Sequence, residues 1–136
     1  MAIIFPDQGE PTLLDLLTPY LAAYDCGLFQ AAAVPVDQDI TLADLTECDF
    51  KGYARQGLTS FAAASEVNHK AKSIGTQVTF DYNSAGAGAS SNDALGYFWT
   101  NGTVLIAIRV FDTPITMSED GDRIKIKTNP TLNSEA

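Results

Sequence analysis

Histidine is almost absent from this chain of 136 residues, His69 being the only one. A Ser-His-Asp or Cys-His apparatus would have to be built on that single imidazole, and no Gly-x-Ser-x-Gly elbow accompanies it. His69 lies between Asn68 and Lys70 in a polar stretch and reads as a surface residue. Cysteine is scarce too. Cys26 and Cys48 match neither a CxxC metal pattern nor a disulfide framework, so both are expected to be small buried hydrophobes. No charged-plus-apolar leader opens the sequence, and the expected place of synthesis is a reducing cytoplasm. Apolar runs are short: none approaches the roughly 20 residues that cross a bilayer, so no membrane partner is expected.

Basic residues are missing where acids are dense. Residues 1–50 hold nine acids (Asp7, Glu10, Asp15, Asp25, Asp37, Asp39, Asp44, Glu47, Asp49) and no Lys or Arg, whereas residues 51–136 hold eight of each sign. The net charge of −9 therefore comes entirely from the first part of the chain. Phosphate binding needs clustered Lys and Arg, which excludes nucleic acid as an expected direct partner. A basic protein surface is the natural complement, with solubility alone as the plainer explanation of the acids.

What is present is β-sheet patterning. Leu95 to Phe111 consists of two apolar runs joined by Asn101-Gly102, a strong hairpin signal. A two-residue turn there sets Trp99 opposite Val104, Tyr97 opposite Ile106 and Leu95 opposite Ile108, which predicts a core face of Tyr97, Trp99, Val104, Ile106 and Ile108. Val78, Phe80 and Tyr82 alternate with Thr79 and Asp81 as in a half-buried strand. A second hairpin is expected about Asp120-Gly121, with Met117 opposite Ile124 and Ile115 opposite Ile126. Further strands are expected over 28–34, 51–58 and, more weakly, 61–71. Asn83 to Asp93 is rich in small residues and reads as a flexible loop.

Helical signals are few. Leu13, Leu14, Leu16, Leu17 and Leu21 have helical spacing after Pro11, and Pro19 predicts an end or bend near Thr18. Thr41 with Asp44 resembles a capping box opening a turn or two of helix. Residues 1–10 open with Ala2-Ile3-Ile4-Phe5, break at Pro6 and Gly9, and read as an arm whose apolar residues need a partner. The expected architecture is a mainly β, antiparallel two-sheet sandwich or jelly-roll-like domain over 11–136, with a short N-terminal arm at 1–10 and one or two short helices.

Other candidate sites dissolve on spacing. An EF-hand loop counted from Asp37 would place Leu42 where the turn glycine belongs and Cys48 where the bidentate Glu belongs, so the acids of 37–49 are not expected to bind calcium. Ser118 to Asp122 is explained by its turn. Gly86-x-Gly88 lacks the third glycine of a dinucleotide site. Asn101-Gly-Thr103 matches a glycosylation sequon, but the turn accounts for it. Tyr97, Phe98 and Trp99 could line a sugar-binding face, were two of them not already assigned to the core. No catalytic, cofactor or metal residues are expected, and the chain is expected not to be an enzyme.

A wider pattern runs from Pro11 to Pro130. It comprises Leu13-Leu14-Asp15-Leu16-Leu17, then Thr41-Leu42-Ala43-Asp44-Leu45-Thr46-Glu47-x-Asp49-Phe50-x-Gly52-Tyr53-Ala54, Gly96-Tyr97-Phe98, Leu105-x-Ala107-x-Arg109, Phe111-x-x-Pro114-Ile115 and Gly121-Asp122-x-Ile124-x-Ile126. This resembles small virion structural proteins of tailed bacteriophages of the capsid cement or decoration type. The resemblance implies a non-enzymatic protein, made in the host bacterial cytoplasm, that joins the capsid exterior at capsomer junctions. It implies the major capsid protein and further copies of itself as partners, most often in a homotrimer. A tail-, neck- or fibre-associated role, with carbohydrate binding in view, is the alternative. The residues expected to meet the partner are Ile3, Ile4, Phe5, Asp7 and Glu10.

Overall fold

The computed structural model describes residues 10–58, 61–67, 70–73, 75, 77–128 and 131–132. In chain order the elements are helix α1 (Glu10–Leu21) and strands β1 (Asp25–Ala32), β2 (Leu45–Glu47), β3 (Gln56–Gly57), β4 (Ser65–Val67), β5 (Lys70–Lys72), β6 (Val78–Asp81), β7 (Asn92–Thr100), β8 (Leu105–Met117), β9 (Arg123–Ile126) and β10 (Thr131–Leu132). A single 3₁₀ turn, Leu42–Asp44, precedes β2. The chain is mainly β with antiparallel sheets and, among the described residues, one α-helix, consistent with a two-sheet β-sandwich as the patterning predicts.

Two compact units divide the chain. The first comprises 1–23, 58–77 and 126–136, and the second 24–57 and 78–125. In the first unit β4, β5 and β10 form a three-stranded antiparallel sheet in the order β10-β5-β4, and α1 lies against it. Leu14 and Thr18, one turn apart, are the buried side of the helix. The Asp15 carboxylate accepts the Ala64 N–H at 2.7 Å, and Gly75 N–H donates to the Thr128 carbonyl at 2.9 Å.

The second unit is built on a sheet in the order β2-β1-β7-β8, with β3 pairing the free end of β1. Its centre is a reciprocal contact. Gly27 pairs with Phe98 and Phe29 with Gly96, so each phenyl ring lies over the glycine opposite. A Cβ on Gly27 would come within 2.5 Å of the Phe98 ring, and one on Gly96 within 2.1 Å of the Arg109 carbonyl. Only glycine leaves that room. Against this sheet β6 and β9 form a ribbon joined to it by aromatic rings: Tyr53 stacks on Phe80 at 5.9 Å, while Phe50 meets Tyr53 at 5.2 Å and Tyr82 at 6.3 Å. Val78, Phe80 and Tyr82 are buried, as their alternation predicts.

The central hairpin exists, but its register differs from the expected one. Thr100 pairs with Leu105, Trp99 with Ala107 and Phe98 with Ile108. The turn is wider because side chains build it. Asn101 Oδ1 accepts the N–H groups of Thr103 and Val104, while Thr100 Oγ1 accepts Gly102 N–H and donates to the Val104 carbonyl. A bulge at Ile106 adds one more residue, and the face relation inverts. Asn92, Ala94, Gly96 and Phe98 are buried in alternation, joined by Trp99 and Thr100, while Val104 and Ile106 of the predicted core face are exposed.

The second predicted hairpin is also corrected. The Asp120-Gly121 turn forms, with Gly121 at φ 104° and Asp122 Oδ2 accepting the N–H groups of Ser118 and Glu119. The strand after it does not return along β8, however: β9 pairs with β6, and Met117 pairs with Asn92. Ile124 and Ile126 are buried there, whereas Ile115 is left exposed. The loop after β6 is not a free coil either. Lys51 N–H donates to Ala89 O, Gly52 N–H to Ala87 O and Ala89 N–H to Asp49 O, so its small residues let two backbones lie together. The 51–58 strand shrinks to β3 because Lys51 to Tyr53 turn, with Gly52 at φ 82°. Likewise the predicted helix after Thr41 stops at one 3₁₀ turn, since Leu45–Glu47 are drawn into pairing with β1.

Candidate partner-binding surface

Ile3, Ile4, Phe5 and Asp7 lie outside the described residues, as does His69. Glu10 is the first residue of α1, so the segment it belongs to leads directly into that helix. Pro11 suits the first turn, where its missing N–H has no helical acceptor to serve. Pro19 does not end the helix, which runs on to Leu21, so of the end or bend expected near Thr18 the end is not seen there. The carbonyl that Pro19 cannot serve is that of Asp15, and Thr18 Oγ1 donates to it at 3.4 Å. A helix apolar on more sides than it can bury leaves a surplus: Leu16, Leu17 and Tyr20 are 63%, 52% and 68% exposed.

Several acids of the second unit are held by neighbouring groups. Asp37 Oδ1 accepts Asp39 N–H, and Asp44 Oδ2 accepts both the N–H and the hydroxyl of Thr41. These bonds, the backbone one foremost, hold the Asp44 carboxyl below its usual range. Asp49 receives Gln30 Nε2 and Asn92 Nδ2. Glu47 takes two parallel bonds from Arg55, each 2.9 Å, and one from the Tyr53 hydroxyl at 2.6 Å. Burial, then the bond to Glu47, raises the Tyr53 phenol well above its usual value, and the same carboxylate raises Arg55. Tyr53 in turn accepts the Leu28 N–H at 3.0 Å, at the gap where neither β2 nor β3 reaches β1. This cluster holds the sheet together. Among the described residues no three His, Cys, Asp or Glu side chains converge as metal ligands would.

The aromatic run of β7 is not an open platform. Phe98 and Trp99 are buried, and the Arg55 guanidinium sits 5.6 Å above the Phe98 ring. Cys26 and Cys48 are free and buried, and burial pushes both thiols up to about 12.

No protein-family model, curated protein or solved structure matches this chain.

What sequence reasoning missed is the exposed apolar edge of β8, hidden by the inverted register, and the surplus side of α1. The second was visible in principle, since Leu13, Leu14, Leu16, Leu17, Tyr20 and Leu21 span more of a helix than one buried stripe uses.

Proposed function

We propose that this protein is a non-enzymatic structural component of a tailed-phage virion, a cement or decoration protein that docks on the exterior of the assembled head and stabilises it. Its partner is the major capsid protein, bound at capsomer junctions. The observation that carries this reading is the largely exposed Leu16, Leu17 and Tyr20 on a helix that directly continues a segment bearing Ile3, Ile4 and Phe5. Large apolar side chains left exposed along a helix call for a protein partner. The sequence resemblance supplies which one. The uncompensated acids of residues 1–50 attract a basic rim and speed encounter more than they deepen affinity.

Co-sedimentation with purified heads tests this. Deleting residues 1–10, or replacing Leu17 and Tyr20 by Glu, is expected to leave the melt of the free protein nearly unchanged and to abolish or greatly weaken attachment. Burial of each large apolar side chain can contribute about 1.5–3 kcal/mol before the cost of ordering the segment is subtracted. Raised salt is expected to slow attachment of the intact protein. Undiminished binding by both variants removes this surface from the mechanism, and attachment to tails rather than heads replaces the head assignment with the tail-associated one.

A further inference from the structure

The turn between β7 and β8 holds the only Asn-Gly pair in the chain, Asn101-Gly102. Its side-chain hydrogen bonds act on both halves of that pair. Asn101 Oδ1 accepts the N–H groups of Thr103 at 2.9 Å and Val104 at 2.8 Å, so the side chain folds forward across Gly102. Two N–H groups on one carbonyl oxygen draw electrons from the amide carbon and are in place for the negative charge that an attack on that carbon creates. The atom placed to attack is the next backbone nitrogen. Gly102 N–H donates to Thr100 Oγ1 at 2.9 Å, and that hydroxyl donates onward to the Val104 carbonyl at 2.8 Å. An acceptor lying along the N–H polarises the bond and leaves the face of the nitrogen free. Gly102 brings no side chain to crowd that face: it holds φ 97°, and nothing lies within 4 Å of where a Cβ would stand. Residues 101–104 are exposed, so water reaches the site.

We propose that Asn101 is a self-modification site, its side-chain amide converted to a carboxylate through a cyclic imide whose formation the turn promotes. The Gly102 nitrogen bonds to Asn101 Cγ, its proton passes to solvent, and the side-chain nitrogen leaves as ammonia. Water then opens the imide at either carbonyl. One opening leaves aspartate, and the other leaves isoaspartate, with the main chain rerouted through the side chain. The balance is one water consumed and one ammonia released, with no oxidant and no second protein. Holding nucleophile and carbonyl together in the fold is what makes the step intramolecular in effect as well as in bonding. The product adds one negative charge to the chain's −9, and isoaspartate lengthens the backbone at the tip that leads into β8.

The fold selects this position among similar ones. Asp120-Gly121 can close the same imide by loss of water, and Gly121 has a comparable φ of 104°. Its carboxylate, however, is drawn away to Ser84, whose N–H and hydroxyl both donate to it. Those bonds also hold its pKa below the usual value, so the group stays ionised and resists attack. Asn92 is buried, with its Oδ1 taken by the Asp49 N–H. Asn83 has one donor on its oxygen, from Ala85, and the nitrogen after it belongs to Ser84, whose side chain crowds the approach. Among the described residues Asn101 alone combines two N–H groups on its oxygen, a following glycine and exposure.

Peptide mapping by mass spectrometry, after the full chain has stood in mildly alkaline buffer made with isotopically labelled water, tests this. Asn101 is expected to give aspartate and isoaspartate together, each carrying one labelled oxygen, while Asp120 stays ordinary aspartate. The reaction is expected to run faster in the native chain than in the same chain unfolded in guanidinium chloride. Thr100→Val keeps the buried shape but cannot accept the Gly102 N–H. It is expected to slow the native reaction about tenfold, the worth of one ordinary hydrogen bond at the reacting groups, and to leave the unfolded rate unchanged. Where that variant melts early, the native-against-unfolded comparison on the wild type decides alone. Intact Asn101, or aspartate without isoaspartate, overturns the proposal. A native rate equal to or below the unfolded one, or a Thr100→Val chain that is still folded and reacts faster than the wild type, overturns it too, because the bonds of the turn would then restrain the step.

Discussion

Replacing Tyr53 by Phe deletes one oxygen from the junction of three strands. Along one side of β1, β2 pairs with Phe29 to Ala32 and β3 with Asp25 and Cys26, and the Leu28 N–H between them donates to the Tyr53 hydroxyl at 3.0 Å. Leu28 itself is fully buried, so water has little access to replace that acceptor. The ring would remain, still stacked on Phe80 and edge-on to Phe50. The loss is therefore polar: an orphaned buried N–H costs about 1–3 kcal/mol. Glu47 also loses a donor, but it is part-exposed and keeps both bonds from Arg55, so that loss adds little. Urea unfolding of Tyr53→Phe is expected to show a destabilisation of about 1–3 kcal/mol with an unchanged m-value. Hydrogen exchange should show the Leu28 amide losing protection relative to its neighbours. A change below about 0.5 kcal/mol with Leu28 still protected would refute the reasoning, because it would mean that another acceptor serves the gap.

The remaining predictions test packing, thiols and titration. Phe98→Ala, which empties the space over Gly27, is expected to cost about 3–5 kcal/mol, whereas Val104→Ala in the exposed turn should lie within about 0.5 kcal/mol; urea melts giving the reverse order would restore the two-residue-turn register. Cys26 and Cys48, with thiols pushed up to about 12 mainly by burial, are expected to react with a thiol reagent only at the rate at which the protein opens, and fast labelling without denaturant would contradict their burial. Because those values are raised from 9.0, the stability they contribute is complete below pH 9 and falls as pH climbs towards 12. Asp44, Asp120 and Asp122 lie below the usual 3.8 through hydrogen bonds from Thr41, from Ser84, and from Ser118 and Glu119 respectively. Their contribution is therefore present above pH 3.8 and lost as pH falls through the depressed values, and replacing all three by Asn should flatten the acid limb of stability measured against pH.

The sequence by itself determined the class of the molecule. Alternation at Val78, Phe80 and Tyr82 fixed a half-buried strand because a strand's faces are set by local geometry alone. Asn101-Gly102 and Asp120-Gly121 marked two real turns for the same reason. The absence of basic residues from 1–50 and the lone histidine, likewise, are properties that folding does not alter. Only the tertiary structure decided which residues meet. The side chains of Thr100 and Asn101 widened a turn, one bulge followed, and a shift of that size changed which residues of β8 share a face with those of β7, since side chains in a strand repeat every two residues. After Asp120-Gly121, β9 had two possible partners of similar pattern and paired with β6, a choice that depends on where β6 lies in space and not on the turn. The exposed edge of β8 is the sum of those two decisions: a register that turned Val104 and Ile106 outward, and a strand that left for another sheet.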